Sequence, residues 1–130
     1  MTAALISDLL RERVVHHRRN LHRIPEPARE ERKTSAYLRS ELERLGFSPV
    51  SAGDSTGLWC DCGPRGPLVA LRADMDGIRV QEDTGLPYSS CHPGLMHACG
   101  HDGHMAMLLG AAQFFAQNPP ERIRLRFLFQ

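Results

Sequence analysis

Hydrophobic positions in the first third of the chain recur every three or four residues, and this spacing predicts two amphipathic helices. The first runs from Ala3 to His22 and ends before two prolines, and the second runs from about Arg29 to Leu45. Gly46 stands where many helices end in a left-handed glycine. Three histidines lie on or beside the first helix, and we expect structural or solvent-exposed roles for them: His16, His17 and His22.

After Gly46 the hydrophobic pattern changes and predicts short strands at 47–52 and 57–62. The apolar run Leu68–Leu71 is typical of a central strand that is covered on both faces. Arg122–Phe129 alternates between apolar and polar residues, which predicts a last strand with an open edge. Helices and strands together indicate one α/β domain, a mixed sheet flanked by helices.

The segment His97–His104 combines one thiol, three imidazoles and a carboxylate with two glycines. Thiolate and imidazole together suit zinc and its neighbours. We predict Cys99 and His101 as metal ligands, because a Cys-x-His spacing in extended backbone points both side chains to one side. Two protein ligands do not complete a catalytic site. Met105–Gln117, which follows, is apolar at helical spacing (Met107 included) and predicts a buried helix.

Two aspartates follow the apolar strand at its carboxyl end, where ligands bind in open α/β sheets. Asp74 is our candidate for the catalytic carboxylate, because a carboxylate there could orient a ligating imidazole or contact a metal. Asp76, Asp102 and His104 are supporting candidates for the same site. A helix N-cap is an alternative role for Asp102, as packing is for His104. A polar connection, 80–95, is expected to lie over the site.

Composition excludes several classes of function. The 130 residues carry a formal net charge of +1, so we expect neither a nucleic-acid partner nor a membrane partner. The first residues do not resemble a secretory signal, and we therefore expect a cytoplasmic protein with reduced thiols. An alternative is a non-catalytic metal-binding or thiol redox module that uses the four cysteines: Cys60, Cys62, Cys91 and Cys99.

Four segments carry a resemblance to a known family. Met96–His104 resembles the signature of the M20 metallopeptidases, in the amidohydrolase branch that includes N-acyl-amino-acid, hippurate and auxin-conjugate hydrolases. Arg18–Glu26 resembles the Arg-x-x-Leu-His-x-x-Pro-Glu motif of that branch. Leu71–Asp76 is similar to its Arg-Ala-Asp-Met-Asp segment, and Arg124–Gln130 to its Val-Arg-x-x-Phe-Gln strand.

The resemblance implies an N-terminal portion, residues 1–130, of a three-layer zinc-peptidase-like catalytic domain. Its complete enzyme would use two divalent ions (zinc, manganese, cobalt or nickel) to hydrolyse N-acyl amino acids. Cys99 and His101 would be ligands and Asp74 the orienting aspartate, with Arg72 where other M20 members have a ligating histidine. The Pro-Ala-Glu-Glu segment with the general base, two later histidine ligands and the dimerisation or lid domain are expected only beyond Gln130. We therefore expect an inactive isolated chain, and a homodimer only of the complete protein.

Overall fold

The computed structural model describes residues 7–130, so the predicted helical residues 3–6 lie outside it. Ser7 caps the first helix, since its side-chain oxygen accepts a hydrogen bond from the Leu10 N–H at 3.2 Å. The elements in chain order are α1 (Asp8–His22), α2 (Arg32–Arg44), β1 (Val50–Ser51), β2 (Leu58–Cys62), β3 (Leu68–Ala73), α3 (His101–Gln117) and β4 (Arg124–Phe129).

The α2 helix begins later than the predicted Arg29, because Arg29 has a φ of 71° that a right-handed helix cannot accommodate. The Glu26 carboxylate supplies the missing cap, accepting hydrogen bonds from the N–H groups of Lys33 at 3.0 Å and Thr34 at 2.8 Å. Gly46, with a φ of 90°, follows the helix as predicted. The turn before α2 therefore depends on one buried carboxylate.

The strands form one mixed sheet in the order β1-β2-β4-β3. β2 pairs antiparallel with β1 and β4, and β3 pairs parallel with β4. Alternate residues of β2 and β4 point into the core, which confirms the period-two pattern predicted for the last strand: Leu58, Cys60, Cys62, Leu125, Phe127 and Phe129. A mixed sheet with helices agrees with the predicted fold class.

Two predictions about the sheet were wrong. In the sheet that residues 7–130 form, β3 lies at an edge and not at the centre, and five of its six residues are exposed. β4, predicted to have an open edge, is an interior strand. The parallel pairing of β3 with β4 explains both errors, because it places the last strand in chain order between two earlier ones. The open apolar edge of the described sheet therefore belongs to β3, where Leu68 and Val69 are 44% and 43% exposed.

The α3 helix begins at His101, earlier than the predicted Met105, because Gly100 adopts a left-handed φ of 86° and turns the chain into the helix. Met107, predicted for the buried face, is 59% exposed. It lies two residues from Met105, which is fully buried, and so points to the opposite side of the helix. The buried face is instead Met105, Leu108, Leu109 and Ala112.

The helices pack around α3, which contacts β3 and β4 on one side and α1 and α2 on the others. The crossing of α1 and α3 is close at Gly110, where an added Cβ would lie 2.5 Å from Cγ2 of Val14. The sheet and this helical layer account for residues 7–130, and the third layer stays a prediction. None of the helices in this part of the chain is long and apolar enough to cross a lipid bilayer.

Candidate metal centre

The predicted site lies where two segments meet beside the end of β3. Asp74 and Asp76 follow β3 directly, at its carboxyl end, as predicted. The backbone of Ile78 pairs with that of Met96, with N–H···O distances of 2.9 and 3.0 Å. This bridge places the Cys99–His101 loop alongside the two aspartates.

Asp76 holds the His101 ring. Nδ1 of His101 lies 2.9 Å from Oδ1 of Asp76 and 2.9 Å from the Asp76 carbonyl oxygen. Both oxygens are acceptors, so Nδ1 donates, and in the neutral ring Nε2 keeps its lone pair. Metal-ligating histidines commonly donate their second ring nitrogen in this way. The geometry leaves Nε2 of His101 available to a metal ion.

Cys99 is an exposed free thiol directly before the start of α3. The backbone from Cys99 to His101 is not extended, as the Cys-x-His argument assumes, because Gly100 is left-handed and His101 is already helical. A turn, rather than strand alternation, therefore directs the two side chains. His104 is exposed in the first turn of α3, with its ring centroid 6.0 Å from that of His101.

Asp74 has different contacts from Asp76. Its Oδ1 lies 2.7 Å from a guanidinium nitrogen of Arg72, and Nε of Arg72 donates to Oε1 of Gln130 at 3.1 Å. A concavity of about 560 Å³ at the carboxyl ends of β3 and β4 is lined by these three side chains and by Asp76. Small-molecule sites have volumes in this range. Both aspartates thus line the concavity, but Asp74 contacts Arg72 and Asp76 contacts His101, and the role of each stays a prediction.

Asp102 lies at the centre of a buried network. Nδ1 of His22 and Nε of Arg18 contact its Oδ2 at 2.7 and 2.9 Å. Nε2 of His22 lies 3.1 Å from Oε1 of Glu82, and the side chains of His22, Asp102 and Glu82 are each 2% exposed. Asp102 is therefore not the N-cap of α3, the alternative considered from sequence, since Gly100 occupies that position.

Glu82 attaches the connection over 80–95 to this network. Burial raises its pKa, but hydrogen bonds from Thr84, the Ser90 N–H and His22 outweigh that effect and lower the pKa from 4.5 to about 2. The carboxylate is therefore ionised at neutral pH. Sequence analysis predicts only a structural or solvent-exposed role for His22, and the one signal for more is its place in the Arg-x-x-Leu-His motif.

His97 is the orphaned polar group of the site. It is 3% exposed, and neither ring nitrogen has a hydrogen-bond partner among the described residues. Burial lowers its pKa to about 4; the nearby charges of Asp102 and Asp76 oppose this shift, whereas His22 and His101 add to it. The ring is therefore neutral at pH 7. Buried polar groups without partners are rare and costly, so this imidazole indicates a group still to be bound.

The donor set fits a metal centre in part. His101 offers Nε2, Cys99 offers a thiol, and the unpartnered His97 is buried in the same loop. Across residues 7–130, however, no group of three or more histidine, cysteine, aspartate or glutamate side chains is arranged to hold an ion. A catalytic zinc takes three or more protein ligands, and the described residues do not bring such a group together.

The four cysteines do not form a cluster. Cys60 and Cys62 are buried in β2, and burial raises the pKa of Cys60 to about 12. Cys91 and Cys99 are exposed, and all four thiols are free. The residues that the structure describes therefore contain no four-thiolate zinc site, and the redox-module alternative gains no support.

The chain is similar to known proteins over most of its length. The model of the peptidase family M20/M25/M40 matches residues 70–130, which include both aspartates and both proposed ligands. The Bacillus subtilis YXEP protein, described as a dinuclear metal binding peptidase from the M20 family, superposes with a TM-score of 0.88 and 35% sequence identity. That alignment covers 95% of this chain and 36% of the other. The chain is therefore similar to the M20 peptidase family over residues 70–130, and to this M20 structure over nearly its whole length.

Two curated relatives of this chain differ in their names. An N-acyl-L-amino acid amidohydrolase of Geobacillus stearothermophilus is 40% identical over 126 residues, covering 95% of this chain and 34% of the relative. A Rhodococcus jostii protein named "Putative glutamate--cysteine ligase 2-3" is 47% identical over 131 residues, covering 100% of this chain and 16% of the relative. The chain thus spans 34% and 16% of the length of these two curated relatives.

Proposed function

We propose that this chain supplies the first part of the metal site of an M20 amidohydrolase, and that the complete protein hydrolyses the amide bond of N-acyl amino acids. The observation that carries the proposal is the His101 ring, held by Asp76 through Nδ1 with Nε2 free, beside the exposed thiol of Cys99. The Geobacillus relative, named for N-acyl-L-amino acids, supports the substrate class.

Each residue has a defined part in this proposal. When bound, a pair of divalent ions supplies Lewis-acid polarisation of the amide carbonyl and activation of water. Cys99 and His101 hold those ions, and Asp76 fixes the tautomer and direction of the His101 ring. Asp74 keeps Arg72 in place at the concavity, where the substrate would enter.

The proposal includes an inactive isolated chain. One support is that residues 7–130 contain no group of three or more histidine, cysteine, aspartate or glutamate side chains that could hold an ion. The other is that the chain spans 34% of the Geobacillus amidohydrolase and 36% of the Bacillus subtilis M20 peptidase. General base, further ligands and a dimerisation domain would come from the remainder of the complete protein. The ligase name of the Rhodococcus relative is not carried over, because the chain spans 16% of that protein and has no glycine-rich phosphate-binding motif.

The test begins with the DNA downstream of the codon for Gln130, where we expect an in-frame Pro-Ala-Glu-Glu continuation. The complete product and the 130-residue chain are then assayed for release of free amino acid from N-acetyl and N-benzoyl amino acids, with and without a chelator. We expect chelator-sensitive hydrolysis by the complete protein and none by the chain. Hydrolysis by the chain alone, or none by the metal-loaded complete protein, would contradict the proposal.

A further inference from the structure

His22 occupies an unusual position for a histidine of an amphipathic helix. Its ring is buried at the end of α1, and each of its nitrogens contacts a different carboxylate, Asp102 at 2.7 Å and Glu82 at 3.1 Å. The imidazole therefore joins two buried carboxyl groups from distant parts of the chain.

The two carboxylates belong to two different segments, the start of α3 and the connection over 80–95. Asp102 is next to His101 in the first turn of α3, and Glu82 begins the connection that passes over α1. Arg18, one turn earlier on α1, adds a contact of 2.9 Å to the same oxygen of Asp102. The Tyr88 ring, from that connection, packs on His22 in a T-shaped arrangement with centroids 5.8 Å apart.

We propose that His22 is a positioning residue of the metal centre, which fixes the loop carrying Cys99 and His101 by binding Asp102. This inference rests on the function proposed above, since it assigns His22 to the same site. His22 touches neither proposed ligand in the described contacts, so its effect passes through Asp102 and the first turn of α3. The bond to Glu82 holds the ring in the orientation that directs Nδ1 at Asp102.

Two substitutions separate the two bonds. Asparagine places its amide nitrogen the same number of bonds from Cβ as Nδ1 of histidine, and glutamine places its own where Nε2 stands. His22→Asn therefore keeps the bond to Asp102, and His22→Gln keeps the bond to Glu82. A merely structural role would treat the two variants alike, because each loses one buried hydrogen bond.

His17 provides a matched control on the same helix. It is 5% exposed, and its Nδ1 lies 2.8 Å from the hydroxyl of Tyr37, away from the loop that carries Cys99 and His101. His17→Gln should lower stability without changing metal binding. Urea unfolding, followed by circular dichroism at the temperature of the binding experiment, shows whether each variant is folded there.

The experiment is a zinc titration of the chain by calorimetry, with Cys99→Ser as the reference for loss of the site. We expect His22→Gln to weaken zinc binding about 10-fold, as removal of a group that supports a ligand does, while His22→Asn and His17→Gln stay close to the starting protein. Amide hydrogen exchange at 99–103 should rise in His22→Gln only. Equal affinities for the two His22 variants would overturn the inference, whereas an unchanged Cys99→Ser would instead overturn the proposed function.

Discussion

The α1 and α3 helices pack against each other, and Gly110 makes their crossing close. A Cβ added at Gly110 would lie 2.5 Å from Cγ2 of Val14, where carbon atoms at rest prefer about 3.5–4.0 Å. Valine in a helix has one strongly preferred rotamer, so Val14 cannot easily turn away. Gly110→Ala therefore forces the two helices apart by about 1 Å, or strains Val14.

The size of the effect follows from two opposing terms. Overpacking of a close contact costs about 1–3 kcal/mol. Alanine in place of glycine in a helix returns up to about 1 kcal/mol. Gly103→Ala, in the first turn of the same helix, has nothing within 4 Å of its added Cβ and should show only the second term. The difference between the two variants isolates the overpacking term, about 1–3 kcal/mol.

Urea denaturation of both variants measures this difference, and the double variant Val14→Ala with Gly110→Ala tests its cause. Removing the Val14 methyl groups should recover most of the lost stability, as a coupling of about 1 kcal/mol or more between the two sites. The close contact between α1 and α3 at Gly110 would be refuted if Gly110→Ala is as stable as Gly103→Ala. It would also be refuted if the double variant recovers none of the stability that Gly110→Ala loses.

Three other predictions concern the site and the sheet edge. The folded pKa of Glu82, about 2, lies below the ordinary 4.5, so its contribution to stability is full above pH 4.5 and disappears as the pH falls toward 2. Urea denaturation across that window should show that the free energy of unfolding falls by about 3 kcal/mol, and Glu82→Gln should abolish this fall. Asp76→Ala should lower zinc affinity about 10- to 100-fold by calorimetry, because His101 loses its support, and Asp74→Ala should lower it far less. Val69→Lys should reduce self-association in light scattering, because a charge on the exposed edge of β3 disfavours pairing with a strand of another molecule. Unchanged association would show that another surface is responsible.

Local patterns in the sequence predicted local structure well. Gly46 was expected to end a helix and does, and the alternation of Leu125, Phe127 and Phe129 correctly gave a half-buried strand. These features depend on residues within a few positions of each other. The strand order depends on distant residues and could not be predicted in this way, because the sequence of β3 is equally compatible with a central strand and with an exposed edge.

The site shows the same division. Its metal loop and aspartates were visible as a cluster of unusual side chains, but the division of roles between Asp74 and Asp76 depends on Arg72 and on the Ile78–Met96 bridge. The sequence did not distinguish the role of His22 from that of His16 and His17, because its partner Asp102 lies 80 positions away in the chain. Long-range pairing of this kind leaves no periodic signal.

X-ray absorption at the zinc edge tests the central claim most directly, namely that Cys99 and His101 bind the same metal centre. The zinc-loaded chain should show one sulfur neighbour at about 2.3 Å and nitrogen or oxygen neighbours at about 2.0–2.1 Å. The sulfur signal should vanish in Cys99→Ser and persist in the matched variant Cys91→Ser, and His101→Ala should lose one nitrogen neighbour. A zinc ion without sulfur in the starting chain, or a sulfur neighbour that survives Cys99→Ser, would contradict the account.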